Sequence, residues 1–143
     1  SARVHLDGLY TFVETYGLEL IRPLILGFEA SIAELEGVYE TALARVDAAF
    51  GTRTPNGYQI RLRARALRQL GRLEEAQRTL ERAAVLDPSD PFAQVERARL
   101  YLDQNRSADA RTELQLALRT WESADSDYSY AVDARELLES TAP

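Results

Sequence analysis

A chain of 143 residues, 45 % apolar and 28 % charged, is sized for one domain, and folding at this length buries roughly 68–70 % of the surface an unfolded chain exposes. Its net charge of -6 argues against a general attraction to nucleic acid or anionic membrane, because the long-range field repels phosphate. All 17 basic side chains are Arg, and there is no Lys and no Cys. That excludes a Schiff-base lysine, a phosphate-loop lysine, a disulfide, a thiolate nucleophile and a cysteine-ligated metal.

The chain begins at Ser1 and contains no Met, as expected of a processed form or an excised fragment. Residues 3–22 read as one helix whose apolar positions are Val4, Leu6, Leu9, Phe12, Val13 and Tyr16, either a cap (1–22) or half of a further repeat. The most apolar run, Leu24 to Phe28 after Leu18, Leu20 and Ile21, is interrupted by Arg22 and Pro23. It is too short to span a bilayer, so a soluble chain without direct membrane insertion is expected. Cytoplasm and periplasm both remain open.

From residue 23 onward the sequence repeats. An offset of 34 residues aligns the blocks 23–56, 57–90 and 91–124 without a gap, placing Ala30, Ala64 and Ala98 in one column. Ala42, Ala76 and Ala110 fall in a second column, and Ala49, Ala83 and Ala117 in a third. Gly37, Gly71 and Asn105 share a column between two apolar-periodic stretches, where a helix end needs left-handed backbone. Each block therefore reads as helix, tight turn, helix. Small residues let antiparallel helices approach to about 8 Å, so the first two Ala columns are predicted to face each other. After the middle block, Asp87-Pro88-Ser89-Asp90-Pro91 stops one helix and offers Asp90 as a cap for the next.

The segment 57–88, GYQIRLRARALRQLGRLEEAQRTLERAAVLDP, resembles a tetratricopeptide repeat through Ile60, Ala64, Leu67, Ala76, Leu80, Ala83 and Pro88. Block 91–124 is similar at Ala98, Tyr101, Ala110, Leu114 and Ala117, with Glu122 where the family has Pro. Block 23–56 is degenerate: its second half parallels the middle block, but its first half keeps only Ala30. A true repeat and a longer helix continuing through Gly37 are both compatible with it. The resemblance implies an all-α fold, a right-handed helical-hairpin solenoid of about three such repeats. Flanking helices close it at the amino terminus and at 125–143, where 128–141 place Tyr130, Val132, Leu137 and Leu138 on an apolar face.

Catalytic chemistry finds little material. His5 is the only histidine, no zinc set of the usual kind can be assembled, and no glycine-rich phosphate loop is present. The carboxylates gather as Glu74-Glu75, Asp87/Asp90 and Asp125/Asp127 at helix starts and turns, where capping and the helix dipole account for them. No catalytic residue, metal or cofactor is expected.

Arg61, Arg65 and Arg68 are spaced by four and three, so they share one helix face as three unopposed like charges. The resemblance implies a concave groove lined by first helices. Mapped here it would show Leu24, Phe28 and Ser31, then Tyr58, Arg61, Leu62, Arg65 and Arg68, then Phe92, Val95, Glu96 and Arg99. Tyr58, Arg61, Arg65, Arg68, Phe92 and Arg99 are the candidate partner-binding residues, suited to a protein or peptide carrying acidic groups. The competing reading is a solvated face, with Glu74, Glu75, Glu81 and Glu96 pairing with the arginines. Phe28, Leu62 and Glu96 depart from the Asn and Lys of the co-chaperone carboxylate clamp, so that variant is not expected. Two further readings are a homodimer through the apolar amino-terminal third and an accessory subunit of a larger enzyme or secretion complex.

Overall fold

The computed structural model describes residues 2–50 and 56–142. Residues 51–55 of the first block, together with Ser1 and Pro143, lie outside the described residues. Among the described residues the apolar periodicity resolves into α1 (Ala2–Tyr16), α2 (Arg22–Leu35), α3 (Tyr39–Phe50) and α4 (Gly57–Gln69). These are followed by α5 (Leu73–Leu86), α6 (Pro91–Asp103), α7 (Ser107–Thr120) and α8 (Ser129–Ser140).

Helix ends follow from local chemistry. Gly37, Gly71 and Asn105 have φ of 73°, 74° and 59°. In the first and third of these turns the chain reverses through the two-bond glycine-type cap. The Val38 N–H donates to the Ala33 carbonyl at 2.8 Å and the Gly37 N–H to Glu34 at 3.0 Å; the Arg106 N–H donates to Tyr101 at 2.7 Å and the Asn105 N–H to Leu102 at 2.9 Å. A continuous helix through Gly37 is therefore not formed. Gly17, at φ 64°, also ends α1 early, with the Leu18 N–H on the Val13 carbonyl at 2.9 Å. The single helix expected over 3–22 is thus a 15-residue helix followed by a 3-10 turn at Glu19–Ile21.

Helix starts are equally local. Asp90 Oδ1 accepts from the Phe92 N–H at 3.0 Å with Pro91 in the first turn, as its sequence predicts. Asn56 and Gln59 form a reciprocal capping box on α4: Asn56 Oδ1 accepts from the Gln59 N–H at 2.9 Å, and Gln59 Oε1 from the Asn56 N–H at 3.2 Å. The Asn-x-x-Gln spacing carries this signal in sequence.

Tertiary contacts group the chain into two compact units, Ser1–Gly71 and Arg72–Pro143. In the first, α1 lays Leu6 and Val13 against Ile25, with Tyr10, Ile21 and Ile32 at the margin, and α2 packs on α3. Ala30 and Ala42 are fully buried there, as small contact residues require. In the second, α6 packs on α7 and α7 on α8 around Ala98, Ala110, Leu114, Ala117, Trp121, Ala131 and Ala134. Each fully buried leucine or isoleucine contributes about 1.5–3 kcal/mol of transfer free energy. The α8 face also differs from expectation. Ala131 and Ala134 lie at its buried centre and Leu137 and Leu138 pack against the same core as expected, whereas Tyr130 is 53 % exposed.

Candidate interaction site

The first unit presents a continuous row of outward side chains. On α2, Leu24, Phe28, Ser31 and Leu35 are spaced by four, three and four, which puts them on one face. Leu24 and Phe28 are about half exposed and Leu35 more so. Tyr58 on α4 joins this row: its hydroxyl lies 2.7 Å from Ser31 Oγ, and its ring remains 51 % exposed. Arg61, Arg65 and Arg68 continue the Tyr58 face along α4 and are half-buried.

The arginines are not unopposed. Arg65 Nη1 donates to Glu34 Oε1 at 2.7 Å, and Arg63 Nε donates to Asp47 Oδ1 at 2.6 Å. These partners come from α2 and α3, so the first block supplies counter-charge that helical spacing along α4 alone could not reveal. The sequence expectation looked to Glu74, Glu75, Glu81 and Glu96, and Glu34 and Asp47 are additions to that set. Glu75 pairs with its neighbour Arg72 at 2.7 Å. Leu62 and Glu96, both expected in the groove, are buried at 3 % and 4 % exposure and belong to the interior. Spacing alone would keep them outward, Leu62 with Tyr58 and Arg65 and Glu96 with Phe92 and Arg99, so packing and not the helical arc decides their burial.

In the second unit, Phe92 and Arg99 lie two turns apart on α6, both half-buried. Phe92 sits edge-on to Trp121 and Tyr130, with ring centroids 5.3 and 5.0 Å away. Trp121 in turn meets Tyr128 at 5.8 Å. Edge-to-face packing of this kind fixes ring orientation and adds to the area term. Phe92 is therefore partly committed to its own core.

Sequence reasoning did not anticipate the second apolar side of α1. Leu9, Phe12 and Tyr16 face outward at 39 %, 48 % and 65 % exposure, and the Phe12 and Tyr16 rings lie 4.6 Å apart. Leu20, after the helix, is 93 % exposed. The one-turn spacing of Leu9, Phe12 and Tyr16 was the available signal, hidden because Leu6 and Val13 satisfy the same periodicity. Beneath them, the Tyr10 hydroxyl donates to Glu29 Oε2 at 2.9 Å. Burial and that carboxylate push the phenol up to about 12.

Comparison with known proteins agrees with this architecture. Residues 59–100 match the tetratricopeptide repeat family. No curated protein matches the sequence. Among solved structures, the chain resembles the type III secretion translocator chaperone SycD of Yersinia enterocolitica at 19 % identity and a TM-score of 0.75, over 84 % of this chain and 91 % of that one. It also resembles the Sgt2 TPR domain of Aspergillus fumigatus at 22 % identity and a TM-score of 0.71, over 83 % and 76 %. PcrH of Pseudomonas aeruginosa, in complex with the chaperone binding region of PopD, matches at 18 % identity and a TM-score of 0.70, over 86 % and 90 %. At these identities the likeness establishes the all-α repeat fold. Among the described residues no helix is long and apolar enough to cross a membrane.

Proposed function

With residues 59–100 in the tetratricopeptide repeat family and the fold alike over most of the chain, we propose that this protein is a non-catalytic scaffold holding a peptide or partner domain on its first-helix faces. The observation that carries the reading is the outward row of Leu24, Phe28 and Tyr58 beside Arg61, Arg65 and Arg68. Aromatic and aliphatic anchors next to guanidinium groups have the composition of binding hot spots. The peptide it suits has large apolar side chains with carboxylates between them; Phe92 and Arg99 offer the same pairing on the second unit. The hairpins are assigned to blocks 23–56, 57–90 and 91–124 within one domain. PcrH forms a complex with the chaperone binding region of PopD, which supports a peptide segment as ligand and an accessory place in a larger assembly.

Selection from a random peptide library on the immobilised protein tests this. Enriched peptides should combine apolar anchors with Asp or Glu, and Tyr58→Ala or Arg61→Glu should weaken them at least about tenfold with helical circular dichroism retained. Peptides that bind both variants as well as the parent chain would remove these faces from the site.

A second reading is favoured by one observation, the outward Leu9, Phe12, Tyr16 and Leu20. Apolar surface of this extent is suited to a homodimer. Sedimentation of a monomer at high concentration would exclude it.

A further inference from the structure

A cleft of about 310 Å³ opens in the first unit on a side of the molecule that the peptide-binding reading does not use. Three helices line it. The α1 wall carries Leu6 and Asp7, the α2 floor Glu29, Ile32 and Ala33, and the α3 wall Thr41 and Arg45. Its volume is at the small end of ligand cavities, about 300–1,000 Å³.

The polar groups are unevenly used. Glu29 Oε2 accepts from the Tyr10 hydroxyl at 2.9 Å and lies 3.2 Å from Arg45 Nε, so one oxygen serves both. Arg45 makes no other ion pair or hydrogen bond among the described residues, which leaves its two terminal amino groups available on a side chain that lines the cleft. The Asp7 carboxylate and the Thr41 hydroxyl likewise have no side-chain partner among the described residues. Leu6 and Ala33 are buried and Ile32 half-buried, giving the cleft an apolar base.

Charge decides what fits. An anion alone would gain Arg45 but meet Asp7 and Glu29; a cation alone would gain Asp7 and Glu29 but meet Arg45, whose guanidinium already holds Glu29. A molecule carrying both charges close together satisfies both walls, and an aliphatic side chain covers the base. From this arrangement we propose that the α1–α3 cleft binds a free aliphatic α-amino acid. Its carboxylate lies on the Arg45 guanidinium and the Thr41 hydroxyl, its ammonium group on Asp7, and its side chain on Leu6, Ile32 and Ala33.

Titration of the whole chain with L-leucine, followed by calorimetry and by amide NMR shifts, tests this proposal. Saturable binding below about 10 mM is expected, with shifts concentrated at Ile32, Ala33, Thr41 and Arg45. Leucinamide, which lacks the carboxylate, and N-acetylleucine, which lacks the ammonium group, should each bind at least about tenfold more weakly. Asp7→Asn and Arg45→Gln should each cost a similar factor, with unchanged circular dichroism as the check on folding. Asp7 is an exposed residue, so its variant remains informative if Arg45→Gln disturbs the Glu29 contact. Absence of saturation, equal binding of leucinamide, or equal binding by the Asp7→Asn chain would overturn the proposal. Because none of these residues lies on the Tyr58 face, the outcome is independent of the peptide-binding reading.

Discussion

The two compact units differ in what they show to water. Residues 1–71 hold eight Arg against eight Asp and Glu, whereas residues 72–143 hold nine against fifteen, so the whole net charge of -6 sits in the second unit. Exposed large apolar side chains are divided the other way: among the described residues, eleven belong to the first unit and only Val85, Leu86, Leu116 and Tyr130 to the second. The lesson is a division of labour. The second unit has the aromatic and alanine core and the solubilising charge; the first has neutral charge and uncovered apolar surface, the combination that makes association favourable.

The largest expected test of that contrast is Leu114→Ala. Leu114 is fully buried in the second core, so its truncation should lower stability by about 2–5 kcal/mol in urea denaturation. A loss below about 1 kcal/mol would show that this unit is not held by tight packing.

Next come the turns, which belong to both units and should respond in opposite directions, according to the residue each now holds, if backbone geometry governs them. Gly71→Ala forces a side chain into left-handed backbone at φ 74° and should cost about 1–2 kcal/mol. No atom would crowd the added Cβ at Gly71, so the cost is conformational. Asn105→Gly relieves the same constraint and should stabilise slightly. Equal responses at the two positions would refute the assignment.

The smallest effect concerns Tyr10, under the outward face of α1. Its phenol is raised mainly by burial and then by the hydrogen bond to Glu29, to about 12. A raised folded-state value means that the neutral form is the one the fold favours. The associated stability is complete below the ordinary phenol range near pH 10 and is lost as pH rises toward 12. In tyrosinate absorbance titrations, Tyr10→Phe should remove one late-titrating group of the seven tyrosines. Loss of an ordinary-range tyrosine instead would mean that the contact with α2 does not persist in solution.

Much of the fold was legible in the amino acids because its determinants are local. Gly37, Gly71 and Asn105 occupy left-handed backbone for a reason intrinsic to each residue, and Asp90-Pro91 starts α6 by its own chemistry. The 34-residue alanine columns marked positions that proved buried, since only a small side chain serves where helices meet closely. The site was less legible. The spacing of Arg61, Arg65 and Arg68 gave their common face, but Glu34 and Asp47, which neutralise Arg65 and Arg63, lie about 16 to 31 residues away in sequence and reach them only through the packing of α2 and α3 beside α4.

By itself, then, the sequence determined helix, turn and repeat, because hydrogen bonding and backbone sterics act over three or four residues. Only the tertiary structure decided exposure: Leu62 and Glu96 turned inward beside their outward neighbours, Leu9, Phe12 and Tyr16 stayed in water, and Glu29 came to sit between Tyr10 and Arg45. Helical periodicity says which residues share a face, and the neighbouring helix determines whether that face is covered.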